Sequence, residues 1–227
     1  MAKKVKFPAL FLGMLALLLL NGCEKNKPGK PGQPAQPVDA STAVPLGKTA
    51  TEYKNQGDDY FTNGQYDLAL KFYSKAIEVD PQMAAAFDDR GVVYAKTGDL
   101  DKAIADWGQS LAIDSKNSYA LFNRGLAYYR KKEYDKTIED MNKTIEIAPE
   151  TAPAYYTRAL AYAGKGQMQM DPAIADFTKA IELNPKYSQA YYGRGLAYKL
   201  KGDLKKSEAD FKKSVELNPA YASKPYP

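Results

Sequence analysis

Residues 84–117 read AAAFDDRGVVYAKTGDLDKAIADWGQSLAIDSKN, and residues 188–221 read SQAYYGRGLAYKLKGDLKKSEADFKKSVELNPAY. Set side by side without a gap, both carry Arg-Gly, a tyrosine three residues after that glycine, then Gly-Asp-Leu, then an aromatic residue sixteen after the Arg-Gly glycine. The register extends through the whole chain after Lys48. Tyr60, Tyr94, Tyr128, Tyr162 and Tyr198 are spaced 34, 34, 34 and 36 residues apart, and Gly57, Gly91, Gly125, Ala159 and Gly195 stand three before them. Ala69, Ala103, Thr137, Ala173 and Ser207 keep step, as do Tyr73, Trp107, Met141, Phe177 and Phe211. Pro81, Pro149, Pro185 and Pro219 close four of five units, with Ser115 in the same place in the second. A fixed period of this length marks a repeat architecture, in which each unit buries its apolar face only against its neighbours.

Within a unit the apolar residues fall at helical spacing, as in Tyr191, Gly195 and Tyr198 and then Phe211 and Val215. Each unit therefore predicts two helices. Asp67, Asp101, Asp135 and Asp171 read as N-caps of the second helices, and Pro172 suits a first helical turn. The recurring small residue lets paired helices approach closely. The first unit carries Gln56 and Asp59, and the last carries Ser207, Glu208 and Ser214, where inner units are mostly less polar, so both ends read as finished surfaces.

These residues resemble the tetratricopeptide repeat, whose pattern is a small residue paired with Tyr on a first helix, Ala and an aromatic on a second, and a closing Pro. The resemblance implies an all-α fold, a right-handed superhelical α-solenoid of five helix pairs at residues 50–83, 84–117, 118–151, 152–187 and 188–221, with a short tail at 222–227. Two departures are local. Lys132 replaces the turn glycine of the third unit, and the fourth carries two extra residues near Gln167-Met168-Gln169-Met170.

The chain of 227 residues has no His and one Cys, which excludes Ser/His/Asp and Cys/His catalysis, histidine-ligated metal and an intrachain disulfide. Asp88 and Asp89 diverge by about 100° on a helix and make no acid/base dyad. No enzyme, cofactor or metal is expected. Of the net charge of +5, residues 1–47 supply six lysines against two carboxylates, leaving 26 basic and 25 acidic residues after them. A repeat region this near neutrality does not predict a nucleic-acid partner.

The early lysines flank a leader. Lys3, Lys4 and Lys6 precede fourteen uncharged residues from Phe7 to Leu20, too few to span a bilayer but right for a signal-peptide core. Leu20-Asn21-Gly22-Cys23 follows and resembles a bacterial lipoprotein signal, with Asn21 standing where Ala, Ser or Thr is usual. The resemblance implies a signal peptide over 1–22 and lipid on Cys23, hence a lipid-anchored protein of the bacterial cell envelope, inner or outer membrane left open. Residues 23–49 form the linker. Glu24 to Gly47 hold five prolines, three glycines and no aromatic residue, a tether expected to lack fixed structure and to reach up to roughly 75 Å.

In a solenoid of helix pairs the first helices line the concave side, and positions three before and one after each paired small residue share a face. In order along that groove stand Lys54 and Asp58, Asp88, Phe122 and Leu126, Tyr156, and Tyr192, with Tyr119 and Tyr129 beside them. Two readings stand together: aromatic anchors for a protein or peptide partner, or side chains that fill the seam between first helices. The family's carboxylate clamp, a Lys/Asn/Asn/Lys/Arg set, is not expected, since of Lys54, Asp58, Asp89, Tyr119 and Asn123 only Lys54 fits. Arg90, Arg124, Arg158 and Arg194 adjoin the helix-pairing position and read as stems whose heads meet carboxylates. A scaffold for protein partners near a membrane is the first expectation; a subunit of secretion, pilus or cell-wall machinery, self-associating as a homodimer through its terminal face, is the second.

Overall fold

The computed structural model describes residues 47–222; the leader, Cys23, most of the linker and residues 223–227 lie outside them. The chain divides into two compact units at Ala86 and Phe87. Among the described residues there are ten α-helices and no strand. In the first unit α1 (Ala50–Thr62) pairs with α2 (Tyr66–Val79), and α3 (Ala84–Thr97) begins. The second holds the rest of α3, then α4 (Leu100–Ile113), α5 (Ser118–Arg130), α6 (Tyr134–Ile147), α7 (Ala152–Lys165), α8 (Met170–Leu183), α9 (Ser188–Lys201) and α10 (Leu204–Leu217). Each expected repeat contains one pair.

Local chemistry sets where the helices begin. Thr49 Oγ1 accepts from the Glu52 amide at 3.2 Å while Glu52 Oε2 accepts from the Thr49 amide at 2.7 Å, a reciprocal cap that opens α1. Asp99 caps α4, Asn117 caps α5 and Asp203 caps α10, each accepting an amide three residues on. The expected caps Asp67, Asp101, Asp135 and Asp171 are instead the second residues of their helices. Each stands two residues after the cap position, inside the first turn of the helix. Gly64, Gly98 and Gly202 take positive φ directly before these capping positions, and Lys132 does the same work at φ 63°. It is the one non-glycine residue with positive φ among the described residues.

Freed from capping, Asp101, Asp135 and Asp171 each accept an ion pair from Lys131, Lys165 and Lys201, at the end of the next pair's first helix. The acidic first turn and the basic last turn also suit the two helix dipoles.

The close approach expected of the recurring small residue is observed. A Cβ on Gly57 would sit 2.5 Å from the Tyr73 ring, one on Gly91 2.9 Å from Trp107 Nε1, and one on Gly195 3.0 Å from Phe211. At Gly125 the same atom would meet Met141 Cε at 2.3 Å and Asp140 Cβ at 3.2 Å. These ring-on-backbone contacts form the interior. In the first unit Tyr53, Phe72, Ala76 and Ala86 make one buried cluster; in the second, Ala95, Ala103, Trp107, Ala120 and Ala127 make another. Fully burying one such large side chain stabilises by about 1.5–3 kcal/mol.

In the second unit the pairs stack: α5 packs on α4 and α6, α7 on α6 and α8, α9 on α8 and α10, and the first helices α5, α7 and α9 neighbour one another. This is an α-solenoid of helix pairs. Its last pair ends differently from the sequence expectation. Ser207 and Ser214 are interior, with the Ser214 hydroxyl donating to the Phe211 carbonyl at 2.8 Å, so of the three polar residues assigned to that end Glu208 alone is exposed. A short turn of 3-10 helix, Pro219–Tyr221, then buries Tyr221. The extra residues of the fourth repeat form a second such turn, Gln167–Gln169, which leaves Met168 exposed and sets Met170 in the core as the first residue of α8.

Gly125→Leu is expected to cost about 3 kcal/mol or more in a urea melt followed by circular dichroism, because its side chain overfills the contact with Met141. Gly108→Ala, in α4 where an added Cβ meets nothing within 4 Å, is expected to gain about 1 kcal/mol in the same assay.

Candidate functional site

The residues assigned to the groove separate into accessible and interior sets. In the first unit Lys54 Nζ donates to both carboxylate oxygens of Asp58, at 3.2 and 2.9 Å, and the Tyr73 hydroxyl donates to Asp58 Oδ1 at 2.9 Å. That carboxylate is engaged from two sides.

In the second unit the aromatic positions are mostly packing. Tyr156 is 2% exposed, with its ring centroid 5.7 Å from Phe177 and 4.9 Å from Tyr187. Phe122, Leu126 and Tyr129 are also buried, Tyr129 against Tyr134 at 5.9 Å. Burial away from water pushes the Tyr129 and Tyr156 phenols upward. Of the aromatic set, Tyr119 and Tyr192 stay half exposed. Tyr192 lies 5.4 Å from Phe211 and 4.9 Å from Tyr221. Phe122, Tyr129 and Tyr156 are therefore interior packing, Tyr129 and Tyr156 against second helices and the turn that closes the repeat.

One slot recurs with changing chemistry. The residue three before the paired small residue meets the residue that ends its own repeat: Tyr156 meets Tyr187, and Tyr192 meets Tyr221. In the second repeat the same slot holds Asp88 and Asn117. Asn117 Nδ2 donates to Asp88 Oδ2 at 2.7 Å and to Ser110 Oγ at 3.0 Å, while its Oδ1 caps α5. Asp88 is 7% exposed, its Oδ1 makes no hydrogen bond, and loss of water raises its pKa, with Ser110 and Asn117 pulling the other way. Tyr187, Tyr221, Ser110 and Asn117 were not legible as site residues. The 34-residue step from Tyr187 to Tyr221 was the available signal.

The arginines meet carboxylates of their own pair through two-pronged contacts. Arg90 holds Asp106, Arg124 holds Asp140, Arg158 holds Asp176 and Arg194 holds Asp210, every N–O distance being 2.7 or 2.8 Å. Arg158 also donates to Asn142 Oδ1 at 2.6 Å and Arg194 to Thr178 Oγ1 at 3.0 Å, each in the preceding repeat. The matching position before Arg124 is Gly108, which has no side chain to offer. In the first repeat Gln56 and Phe72 take the two positions of the pair. Among the described residues no group of three or more acidic or thiol side chains is arranged to hold a metal ion.

Comparison with known proteins agrees with this geometry. The family model described as TPR repeat matches residues 57–98, 91–132 and 169–202, and models described as Tetratricopeptide repeat match 118–151 and 188–221. Serine/threonine-protein phosphatase 5 of Homo sapiens and of Rattus norvegicus is 46% identical over 43 residues, 19% of this chain and 9% of the phosphatase. A crystal structure of MamA is 28% identical with a TM-score of 0.68, over 73% of this chain and 96% of that one. MamA from Desulfovibrio magneticus RS-1 is 23% identical with a TM-score of 0.72, over 78% and 98%. YrrB, described as a TPR protein with an unusual peptide-binding site, is 22% identical with a TM-score of 0.66, over 75% and 87%.

Asp140→Ala is expected to cost about 3 kcal/mol in chemical denaturation, because it strands a half-buried guanidinium. The double variant Arg124→Met, Asp140→Leu is expected to recover most of that loss. For Asp88 the raised pKa means the folded chain holds the proton more tightly than the unfolded chain, so this group's contribution to stability is greatest in acid and falls as pH rises through the folded value. Asp88→Asn is accordingly expected to melt at a higher temperature than the parent chain at pH 7, by a margin that shrinks as the pH is lowered through the carboxylate range.

Proposed function

This chain belongs to the tetratricopeptide-repeat family, and from that premise we propose that it is a protein-interaction scaffold, held at a bacterial envelope membrane by lipid on Cys23. The observation that supports the binding role is the stacking of α5, α7 and α9 as neighbours, with Tyr119 on α5 and Tyr192 on α9 the aromatic residues of the groove set that stay partly exposed. Half-exposed tyrosines give a partner apolar area and a hydroxyl at little entropic cost. The buried residues beneath them, Phe122, Leu126, Tyr129 and Tyr156, keep that face rigid. The partner is a protein or peptide segment laid along the face.

The tethering role rests on the leader. Lysines, an uncharged run and Leu20-Asn21-Gly22-Cys23 are in the order a lipoprotein signal uses, and the proline-bearing linker separates the folded repeats from the bilayer. Such a scaffold serves the assembly or regulation of larger envelope machinery.

Capture of envelope proteins on the purified chain, followed by binding of each captured protein in isolation, tests the role. Tyr119→Ser and Tyr192→Ser are each expected to weaken a true partner about thirtyfold while the circular-dichroism spectrum is retained. A partner held equally by both folded variants would place the binding elsewhere.

A further inference from the structure

The turns that join first to second helices in the third, fourth and fifth repeats make one edge of the second unit with its own chemistry. Residues 130–136, 163–171 and 199–206 hold nine cations and four carboxylates. The turns between repeats are balanced: residues 143–152, 179–188 and 213–222 hold four of each. Every carboxylate of the basic edge is already paired: Glu133 with Lys136, Asp135 with Lys165, Asp171 with Lys201 and Asp203 with Lys206. Of the five remaining cations, Lys131 pairs with Asp101 of the preceding repeat and Arg130 donates to the Ala95 carbonyl, which leaves Lys132, Lys199 and Lys205 without an ion pair among the described residues.

The same edge exposes apolar side chains. Met168 is 92% exposed at the tip of the fourth repeat's turn, and Leu204 is 65% exposed at the start of α10. Leu200 lies exposed between them in sequence, and Gln167 Nε2 donates to its carbonyl at 3.4 Å, which brings the turn of Met168 to the end of α9. Apolar side chains on projecting turns with unpaired lysines around them suit a soft surface that is anionic outside and apolar just beneath. Lysine stems are long enough to reach phosphates while the apolar tips sink to the headgroup boundary. A protein partner would have to supply matching hollows for two separate tips.

We propose that this edge is a docking surface for anionic phospholipid membrane. Lys199 and Lys205 meet the phosphates, and Met168, Leu200 and Leu204 enter the interface. The contact needs neither acylation of Cys23 nor the tyrosine face of the first helices.

The test uses the full chain with Cys23→Ser, so that no acyl group can contribute. One preparation also carries Met168→Trp and another Ile147→Trp, Ile147 being exposed at the opposite, charge-balanced edge; buried Trp107 is a constant background in both. Vesicles of phosphatidylcholine with phosphatidylglycerol and brominated chains are expected to shift Met168→Trp emission to the blue and quench it about twofold, leaving Ile147→Trp unchanged. Phosphatidylcholine alone should do neither. Adding Lys199→Gln and Lys205→Gln to Met168→Trp is expected to lower vesicle partitioning more than tenfold, since one lysine near an anionic surface is worth about fivefold. Equal quenching at both positions would assign the contact to residues before 47 and overturn the proposal. So would an unresponsive Met168→Trp, or one that responds to soluble polyglutamate and not to vesicles.

Discussion

The structure depends on how closely two helix backbones can approach within a pair. A large side chain from each second helix lies on a glycine or alanine of the first, so the ring of Tyr73, Trp107 or Phe211 takes the volume that a β-carbon would need. Packing at that density leaves little freedom in helix spacing or register. The rest follows in order: the arginine next to each inner small residue falls within reach of a second-helix aspartate, and the first-helix residue three before it falls on the end of its own repeat. The spacing of the ion pairs is therefore a consequence of the ring contact rather than a separate design.

The ion pairs are not an independent source of stability. Burying a guanidinium and a carboxylate costs desolvation that their attraction only roughly offsets. The first repeat folds with Gln56 and Phe72 in the same places. What the forks add is a fixed angle between the helices of a pair, since a planar two-pronged contact tolerates little rotation.

The sequence made the repeat period, the close-packed positions and the arginines' engagement with carboxylates legible because each depends on residues that recur in register; which aspartates they meet was not legible. The helix caps were less legible. Asp99 and Asp101 are both acidic residues near the start of α4, and the choice between them lies in the positive φ of Gly98, which lets the helix begin at Leu100. Burial of the supposed anchors was not legible either. Whether Tyr156 faces solvent depends on Tyr187, 31 residues away, at a position whose residue type changes from repeat to repeat. The polar reading of Ser207 and Ser214 failed for a related reason: both are small enough to sit where alanine or threonine sits in other repeats, and the hydroxyl of Ser214 is satisfied by a carbonyl of its own helix.

Arg158 and Arg194 each clasp the repeat before them, through Asn142 and Thr178, whereas Arg124 faces Gly108 and clasps nothing there. A mechanical load pulling the second unit apart end to end would meet a lysine–aspartate pair at each of its three seams, an arginine clasp on a side chain at two of them, and at the third the Arg130 guanidinium on the Ala95 carbonyl. The seam between α4 and α5 is thus riveted only near the ends of its helices, where the other two are also riveted midway along them, so tension would open it from the middle of the helices outward.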